Sequence, residues 1–555
     1  MKAAIIQMRV KAGKCEENMA VIRERVADAK KQGCDLIVFP QNAVSGYLLG
    51  DRWLDEKWCA YVDHFNEEII ALAKEIAIVW GNVKYRHGHL FNCAFFAFDK
   101  ETHMRVKRNE RGGYGDDGRY FEENAIHDLI EYRDHLFSLQ FHHDYMLADW
   151  AINIDCDAYC FDETKWVPKG NTLYVNPIGM QNCGKHVCIY QGGSGVYQNK
   201  QWKRGVDDGI EGMCIVELDE TIAVKERKQQ DLFAALCNGI RYFDEELLGG
   251  KLPWIIGLSG GLDSSVSAAL LTKALGKERV YGYHLATCYN SKETIDHAEK
   301  LARTLGIHYA KGNIELLRDA TSAVMKQYGY DETKWPSLVK ENIQARLRGH
   351  LLSTFASVHG GVVANNGNKV ELALGYCTLY GDAIGALSLL GDLSKVTLFQ
   401  LSKQINSDYQ KEVIPSALLP RIEENKLLWE VMPSAELANQ QRDPMKWFYH
   451  DYLIDHRHDF SIIELMERYA SGEIKDHALY RWIVYYGLDD PKAFIEDLDW
   501  FCTTMRRNAF KQLQVPPLLV VSKHAFSAPF AQGTFDEARY EEWKQLILAR
   551  AKKAA

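Results

Sequence analysis

One stretch, LPWIIGLSGGLDSSVSAALL from Leu252 to Leu271, limits what this 555-residue chain can fold into more than any other. Trp254-Ile255-Ile256 is short, bulky and partly β-branched, the pattern of a strand buried on both faces of a parallel sheet. It runs through Gly257 and Leu258 into Ser259-Gly260-Gly261-Leu262-Asp263-Ser264-Ser265, and an apolar helical run begins at about Val266. A strand that turns through two glycines into a helix gathers free backbone N–H groups and the positive end of a helix dipole at one point. That point is an anion nest, to which Ser259, Ser264 and Ser265 add hydroxyl donors. Asp263 beside a phosphate requires a divalent metal between them. The spacing G-x-x-x-x-G-K-[ST] and its lysine are absent, which excludes the ATPase P-loop.

The surrounding pattern predicts a doubly wound α/β sheet. A strand at Arg279–Tyr283, a helix over Asp296–Leu305, a strand near Ile307–Tyr309 and a helix over Leu316–Tyr328 alternate after the loop. Ligands of such sheets bind at the carboxyl ends of the strands, where Ser259–Ser265 lies. The first 215 or so residues form a separate α/β pattern: strand Ala3–Met8, helix Glu16–Lys31, then the buried strand CDLIVFP at Cys34–Pro40. The charged segment ELDETIAVKERK links the halves, giving domains 1–216 and 229–555 around a linker at 217–228. Lys and Arg total 66 against 75 Asp and Glu, a net charge of −9, so no basic surface for nucleic acid is implied. Thirteen cysteines without a C-x-x-C pair suit reduced thiols, and MKAAIIQMRV shows no cleavable signal pattern. No apolar run approaches membrane-spanning length, so a cytoplasmic protein without membrane partners is expected.

The loop resembles the SGGxDS pyrophosphate loop of the ATP pyrophosphatases, whose fold is adenine nucleotide α-hydrolase-like. Downstream stand Glu341-Asn342-Ile343-Gln344-Ala345-Arg346, Gly367-Asn368-Lys369-Val370-Glu371 and Gly375-Tyr376-Cys377-Thr378-Leu379-Tyr380-Gly381-Asp382. In this order they resemble the NAD synthetases, specifically the large kind with an N-terminal nitrilase-type glutaminase. Pro433-Ser434-Ala435-Glu436-Leu437 and Asn508-Ala509-Phe510-Lys511 extend the likeness. The resemblance implies ATP-driven amidation of deamido-NAD through an acyl-adenylate, with release of AMP and pyrophosphate. It also implies Mg²⁺ on Asp263 and Glu371, and dinucleotide contacts from Asn342, Glu371 and Lys511. Asn366 stands where the family has a Thr beside ATP, Val370 replaces a Ser, and Lys395 is a further phosphate candidate. Family members form homo-oligomers, which is the expectation here.

The N-terminal half resembles the nitrilase, or carbon–nitrogen hydrolase, family, an α/β sandwich. The likeness rests on DLIVFP, Ser45-Gly46-Tyr47, Tyr114-Gly115, Arg119-Tyr120-Phe121, Leu173–Gly179 and Gly192-Gly193-Ser194. Such amidases need a Glu as general base, a Lys for the oxyanion and a Cys nucleophile. Gln41 follows "FP" in place of the Glu, Lys107 is the candidate Lys with Arg108 competing, and His142 stands at the nucleophile position. An amide cannot accept a thiol proton. The implied reading is a silent glutaminase domain and free ammonia as nitrogen donor. Two alternatives remain: a glutamine-dependent enzyme with a relocated nucleophile, Cys156 or Cys160, and a non-catalytic scaffold that binds NAD precursors. His142, His143, Asp144, Cys156 and Cys160 have the types of a zinc site but no structural-zinc spacing, and surface histidines with buried cysteines are the better reading of them.

Overall fold

The computed structural model describes residues 1–109, 117–124, 129–142, 144–163, 166–423, 426–431, 433, 437, 443–526 and 536–554. Contacts divide the chain into two compact units, Met1–Leu247 and Leu248–Ala555.

The first unit is two six-stranded sheets with helices outside. One sheet runs in the order Gly212–Glu217, Lys2–Gln7, Leu36–Val38, Ala77–Arg86, His89–Phe98, Glu101–Val106. The other runs Gln201–Gly205, Gly195–Gln198, Thr172–Val175, Trp150–Ile154, His135–Gln140, Leu129–Tyr132. Successive side chains of a strand point to opposite faces, and here both faces are buried. Ala3, Ile5, Leu36 and Val38 face the second sheet, meeting Phe137, Leu139, Ile152 and Val175. Ala4, Ile6 and Ile37 face outward and pack with Met19, Ile22 and Val26 of the helix Cys15–Lys31 and with Val62 and Ile69 of Glu56–Leu72. Full burial of each such side chain is worth about 1.5–3 kcal/mol, which makes this double-sided core the main stabilising term of the unit. Double-sided burial is also why the strands read as continuous apolar runs.

The segment 217–228, expected as a linker, closes the first unit instead. Leu218 and Ile222 are buried in the inter-sheet core, Leu218 N–H donates to Met1 O (2.8 Å), and Lys225 N–H to Lys203 O (2.6 Å). The helix Leu232–Leu247, expected with the second domain, groups by contact with the first, where it packs on the hairpin Ile178–Gln191. The charge of 217–228 and the apolar face of Leu232–Leu247 are local properties, and neither reveals which core receives a segment.

The second unit carries a parallel sheet in the order Leu518–Val520, Leu387–Ser388, Val362–Asn365, Trp254–Gly257, Val280–Ala286, His308–Asn313. Numbered along the unit, these strands lie as 6-5-4-1-2-3, so the order reverses between Trp254–Gly257 and Val362–Asn365. A doubly wound sheet binds ligands at that reversal, beyond the carboxyl ends of the two strands. The segments leaving those ends are Leu258–Gly261 and Asn366–Asn368. A second core follows, built from Tyr449–Asp455, Ile462–Ser471, Pro491–Gln512 and Glu537–Ala554, with Tyr449, Leu465, Phe494 and Leu498 at its centre. Among the described residues no helix is long and apolar enough to cross a membrane.

Candidate functional site

Leu262–Leu275 is a helix whose N-cap is Gly261 in extended conformation. No side chain caps it among the described residues, so the first-turn amides stay available at the switch point. The preceding loop is folded by its own hydroxyls. Ser259 N–H donates to Ser264 Oγ (3.3 Å), Gly261 N–H to Ser259 Oγ (3.1 Å), and Ser265 Oγ to Gly261 O (2.8 Å). Gly260 has φ +86°, and a Cβ there would lie 1.9 Å from the carbonyl oxygen of Thr294. Glycine is therefore required at 260 twice over, by backbone conformation and by the approach of the neighbouring helix.

The loop forms one wall of a cleft of about 340 Å³, also lined by Asn366, Glu371, Lys395 and Asp443. Asp263 points to the helix Lys369–Leu374, which follows the switch-point strand Val362–Asn365. Asn368 caps that helix, its Oδ1 accepting from Val370 N–H (3.0 Å) and Glu371 N–H (3.1 Å), while its Nδ2 donates to Asp263 Oδ1 (3.3 Å). Lys395, at the start of another helix, places Nζ 2.5 Å from Asp263 Oδ2 and 5.2 Å from the centre of the Trp447 ring. Burial, and next the charge of Asp263, push the Glu371 carboxyl up to about 8. Burial also opposes the charge on Lys395, but Asp263 and Glu371 outweigh it and hold the ammonium above its ordinary range. Two converging carboxylates, one resisting ionisation, form an oxygen donor set that a hard divalent cation would satisfy. Magnesium therefore fits the residues present.

Of the expected ligand contacts, Gly257, Leu258, Ser259, Gly261, Leu262, Asp263, Ser264, Asn366, Glu371 and Lys395 line the cleft. Gly260 shapes the loop, and the Ser265 hydroxyl turns back into its own helix. Asn366 Nδ2 donates to Gly257 O (3.0 Å), so this residue ties the two switch-point segments together. Asn342 and Lys511 do not line the cleft; Lys511 touches one residue that does, Cys377. Asn342 Oδ1 accepts from Thr378 Oγ1 (2.7 Å), and Lys511 Nζ donates to the carbonyls of Gly375 and Cys377 (2.8 Å each). In the PSAEL segment, residues 434–436 lie outside the described residues. Asn368 and Asp443 were missed in the sequence; the N-x-x-E spacing of Asn368 and Glu371 is a capping-box signature that could have revealed the first.

In the first unit, Gln41 is buried and its backbone N–H donates to Asp155 O (3.1 Å). Lys107 pairs with Asp117 (3.1 Å, both buried), whose other oxygen accepts from Tyr47 Oη (2.5 Å). His142 Nδ1 lies 2.8 Å from Asp155 Oδ2. Burial opposes the Asp155 charge, yet the hydrogen bond and charge of His142, with Lys107, keep its carboxyl below the usual range. Burial pushes the Cys156 thiol up to about 12, and the Cys160 thiol is likewise raised and donates to Asp162 Oδ1 (2.9 Å). Neither cysteine is a thiolate at neutral pH, and thiolate is the nucleophilic form. His143 and the Tyr114-Gly115 motif lie outside the described residues.

Residues 2–111 match the carbon–nitrogen hydrolase family and residues 246–472 the NAD synthase family. The glutamine-dependent NAD(+) synthetase of Acinetobacter baylyi is 27% identical over 477 residues, covering 80% of this chain and 84% of its own. That of a Synechocystis species is 26% identical over 602 residues, covering 96% and 98%. The solved structure of glutamine-dependent NAD+ synthetase from Acinetobacter baumannii, in complex with ADP, shares the fold with a TM-score of 0.66 at 24% identity, covering 90% of this chain and 94% of its own.

Proposed function

Because the chain belongs to the two-domain NAD synthetases, ligases that join a carbon–nitrogen hydrolase domain to an NAD synthase domain, we propose that its second unit amidates deamido-NAD with ATP. The observation that carries this is the uncapped helix start behind Ser259–Gly261, set at the strand-order reversal and faced by Asp263, Glu371 and Lys395. The nicotinate carboxylate attacks the α-phosphate of ATP, giving an acyl-adenylate and pyrophosphate. Ammonia then adds to the acyl carbon, loses a proton, and AMP leaves with its bonding electrons. The first-turn amides of Leu262–Ser264 and the serine hydroxyls would receive the pyrophosphate as its charge develops. Asp263 and Glu371 would hold Mg²⁺, which when bound supplies neutralisation of phosphate charge. Lys395 is the counter-ion of Asp263, and in the same cleft its ammonium would face the phosphates of ATP. The ADP in the Acinetobacter baumannii structure supports ATP as the co-substrate.

We further propose free ammonia as the nitrogen donor. Gln41 has no basic atom, His142 replaces the nucleophile, and burial keeps the Cys156 thiol protonated. Glutamine is the second reading, favoured by the names of the relatives and by Lys107 lying close enough to favour ionised Cys156. NAD formation with saturating glutamine, freed of contaminating ammonia, is to be compared with ammonium. We expect turnover on ammonium alone, rising toward alkaline pH as more of the nitrogen is unprotonated; robust turnover on glutamine would replace the ammonia reading. Asp263→Asn should abolish pyrophosphate release, and a wild type that releases none would favour the scaffold alternative. The thirteen free cysteines support a cytoplasmic location. Exposed Leu316, Leu338 and Val358 on the helices Glu315–Gln327 and Ser337–His359 support a homo-oligomer.

A further inference from the structure

Loss of the amidase residues leaves a group of metal-type donors in the first unit. One ligand atom from each of His142, Asp155 and Asp157 lies within 4.8 Å of the others, and the His142 Nδ1 to Asp155 Oδ2 separation is 2.8 Å. A hydrogen bond joins the first pair, and a cation held by both atoms would take the place of the shared proton. The Asp157 side chain is exposed and can turn inward to complete the set.

The backbone holds all three in place independently of one another. Asn153 Nδ2 donates to His142 O (2.7 Å), and Cys156 N–H donates to Asp155 Oδ1 (2.9 Å). Asn176 brackets Asp157, its Oδ1 accepting from Asp157 N–H (2.8 Å) and its Nδ2 donating to Asp157 O (3.0 Å). One imidazole with two carboxylates suits zinc or a similar first-row ion; magnesium and calcium favour oxygen alone.

These donors stand at the edge of a cavity that also holds an unsatisfied polar group. His142 and Asp157 border a cavity of about 750 Å³, with Trp166, Tyr174, Trp202 and Gln191 among its other walls. Gln191 is 6% exposed, and its buried Nε2 has no hydrogen-bond partner among the described residues. An unsatisfied buried donor costs about 1–3 kcal/mol, so Gln191 offers a hydrogen bond to an oxygen that none of the described residues supplies. Such an oxygen would belong to water or an anion held in the cavity.

We propose that His142, Asp155 and Asp157 bind one divalent transition-metal ion, zinc by the chemistry of the donors, with its remaining positions open to this cavity. The side chain that displaced the amidase nucleophile thereby becomes a metal ligand. This set differs from the sequence grouping: the cysteines drop out and two aspartates enter, because the loop 155–157 brings Asp155 onto His142 and Asp157 within 4.8 Å of both.

The test is titration of the chelator-treated full chain with Zn²⁺ by calorimetry and with Co²⁺ by visible absorption. A single equivalent is expected, with Co²⁺ d–d bands and no thiolate charge-transfer band, and an affinity about 100-fold weaker or worse in His142→Ala and Asp157→Asn. Asp157→Asn changes an exposed side chain and should leave circular dichroism and ammonium-dependent NAD formation unaltered, which separates metal loss from misfolding. The proposal is overturned if the wild type takes up neither ion. It is equally overturned if the bound ion shows thiolate bands and persists in both variants, since the metal would then belong to cysteines.

Discussion

Gly260→Ala probes the anion nest with the least chemical change. Alanine at φ +86° pays about 1–2 kcal/mol for left-handed backbone. Its Cβ would also sit 1.9 Å from Thr294 O, 2.7 Å from Thr294 C and 3.0 Å from Thr294 Cα. These are backbone atoms of the helix Lys292–Leu305, so relief requires the loop or the helix to move, at about 1–3 kcal/mol for overpacking. The total is about 2–5 kcal/mol. Gly249→Ala isolates the first contribution, because Gly249 has φ +75° with nothing within 4 Å of a Cβ. Thermal unfolding should therefore place Gly260→Ala below Gly249→Ala, by roughly 2–4 °C per kcal/mol of difference. A displaced loop no longer aims its amides at the leaving group, and loss of one such donor costs about 10²–10³ in kcat. Pyrophosphate release with deamido-NAD, ATP and ammonium should fall by that factor in Gly260→Ala and stay near wild type in Gly249→Ala. Turnover of Gly260→Ala within about threefold of wild type, with a melting temperature equal to that of Gly249→Ala, would refute the nest: a twofold-to-threefold change is under about 1 kcal/mol, too little for a lost donor.

The remaining predictions concern buried charge. Glu371 rises from 4.5 to about 8 on folding, so its contribution to stability is full below about pH 4.5 and is lost as pH climbs through 8. Magnesium-free wild type should lose stability across that window relative to Glu371→Gln; in wild type, binding of Mg²⁺ with ATP should release a proton, seen by calorimetry in buffers of different ionisation heat. Equal pH slopes for the two proteins and no proton release would refute this. Lys369 is 1% exposed and its Nζ lies 3.0 Å from Ser522 Oγ, 3.1 Å from Asp455 and 3.3 Å from Asp392, which is itself buried. Lys369→Met leaves Asp392 uncompensated and should cost about 3–5 kcal/mol in denaturant unfolding, part of it regained by adding Asp392→Asn.

The sequence by itself determined the local chemistry. The Trp254–Ser265 strand, glycines and serines dictate a nest whatever surrounds them, because turn conformation and helix polarity are properties of neighbouring residues. Gln41 and His142 were equally legible, since an amide in place of a carboxylate cannot act as a base in any fold. What only the tertiary structure decided is which distant groups converge. Asp263 meets Lys395 across 132 residues and Asn368 across 105, and Asp155 meets His142 after the chain has crossed to a neighbouring strand and back. The segment 217–228 reads as solvated linker, yet two of its apolar side chains enter the inter-sheet core. Periodicity and spacing report the face a residue occupies; sheet order and crossover decide what that face meets, and electrostatics follow from the meeting. The shift of Glu371 arises from burial and from Asp263, neither of which leaves a mark in the residues beside it.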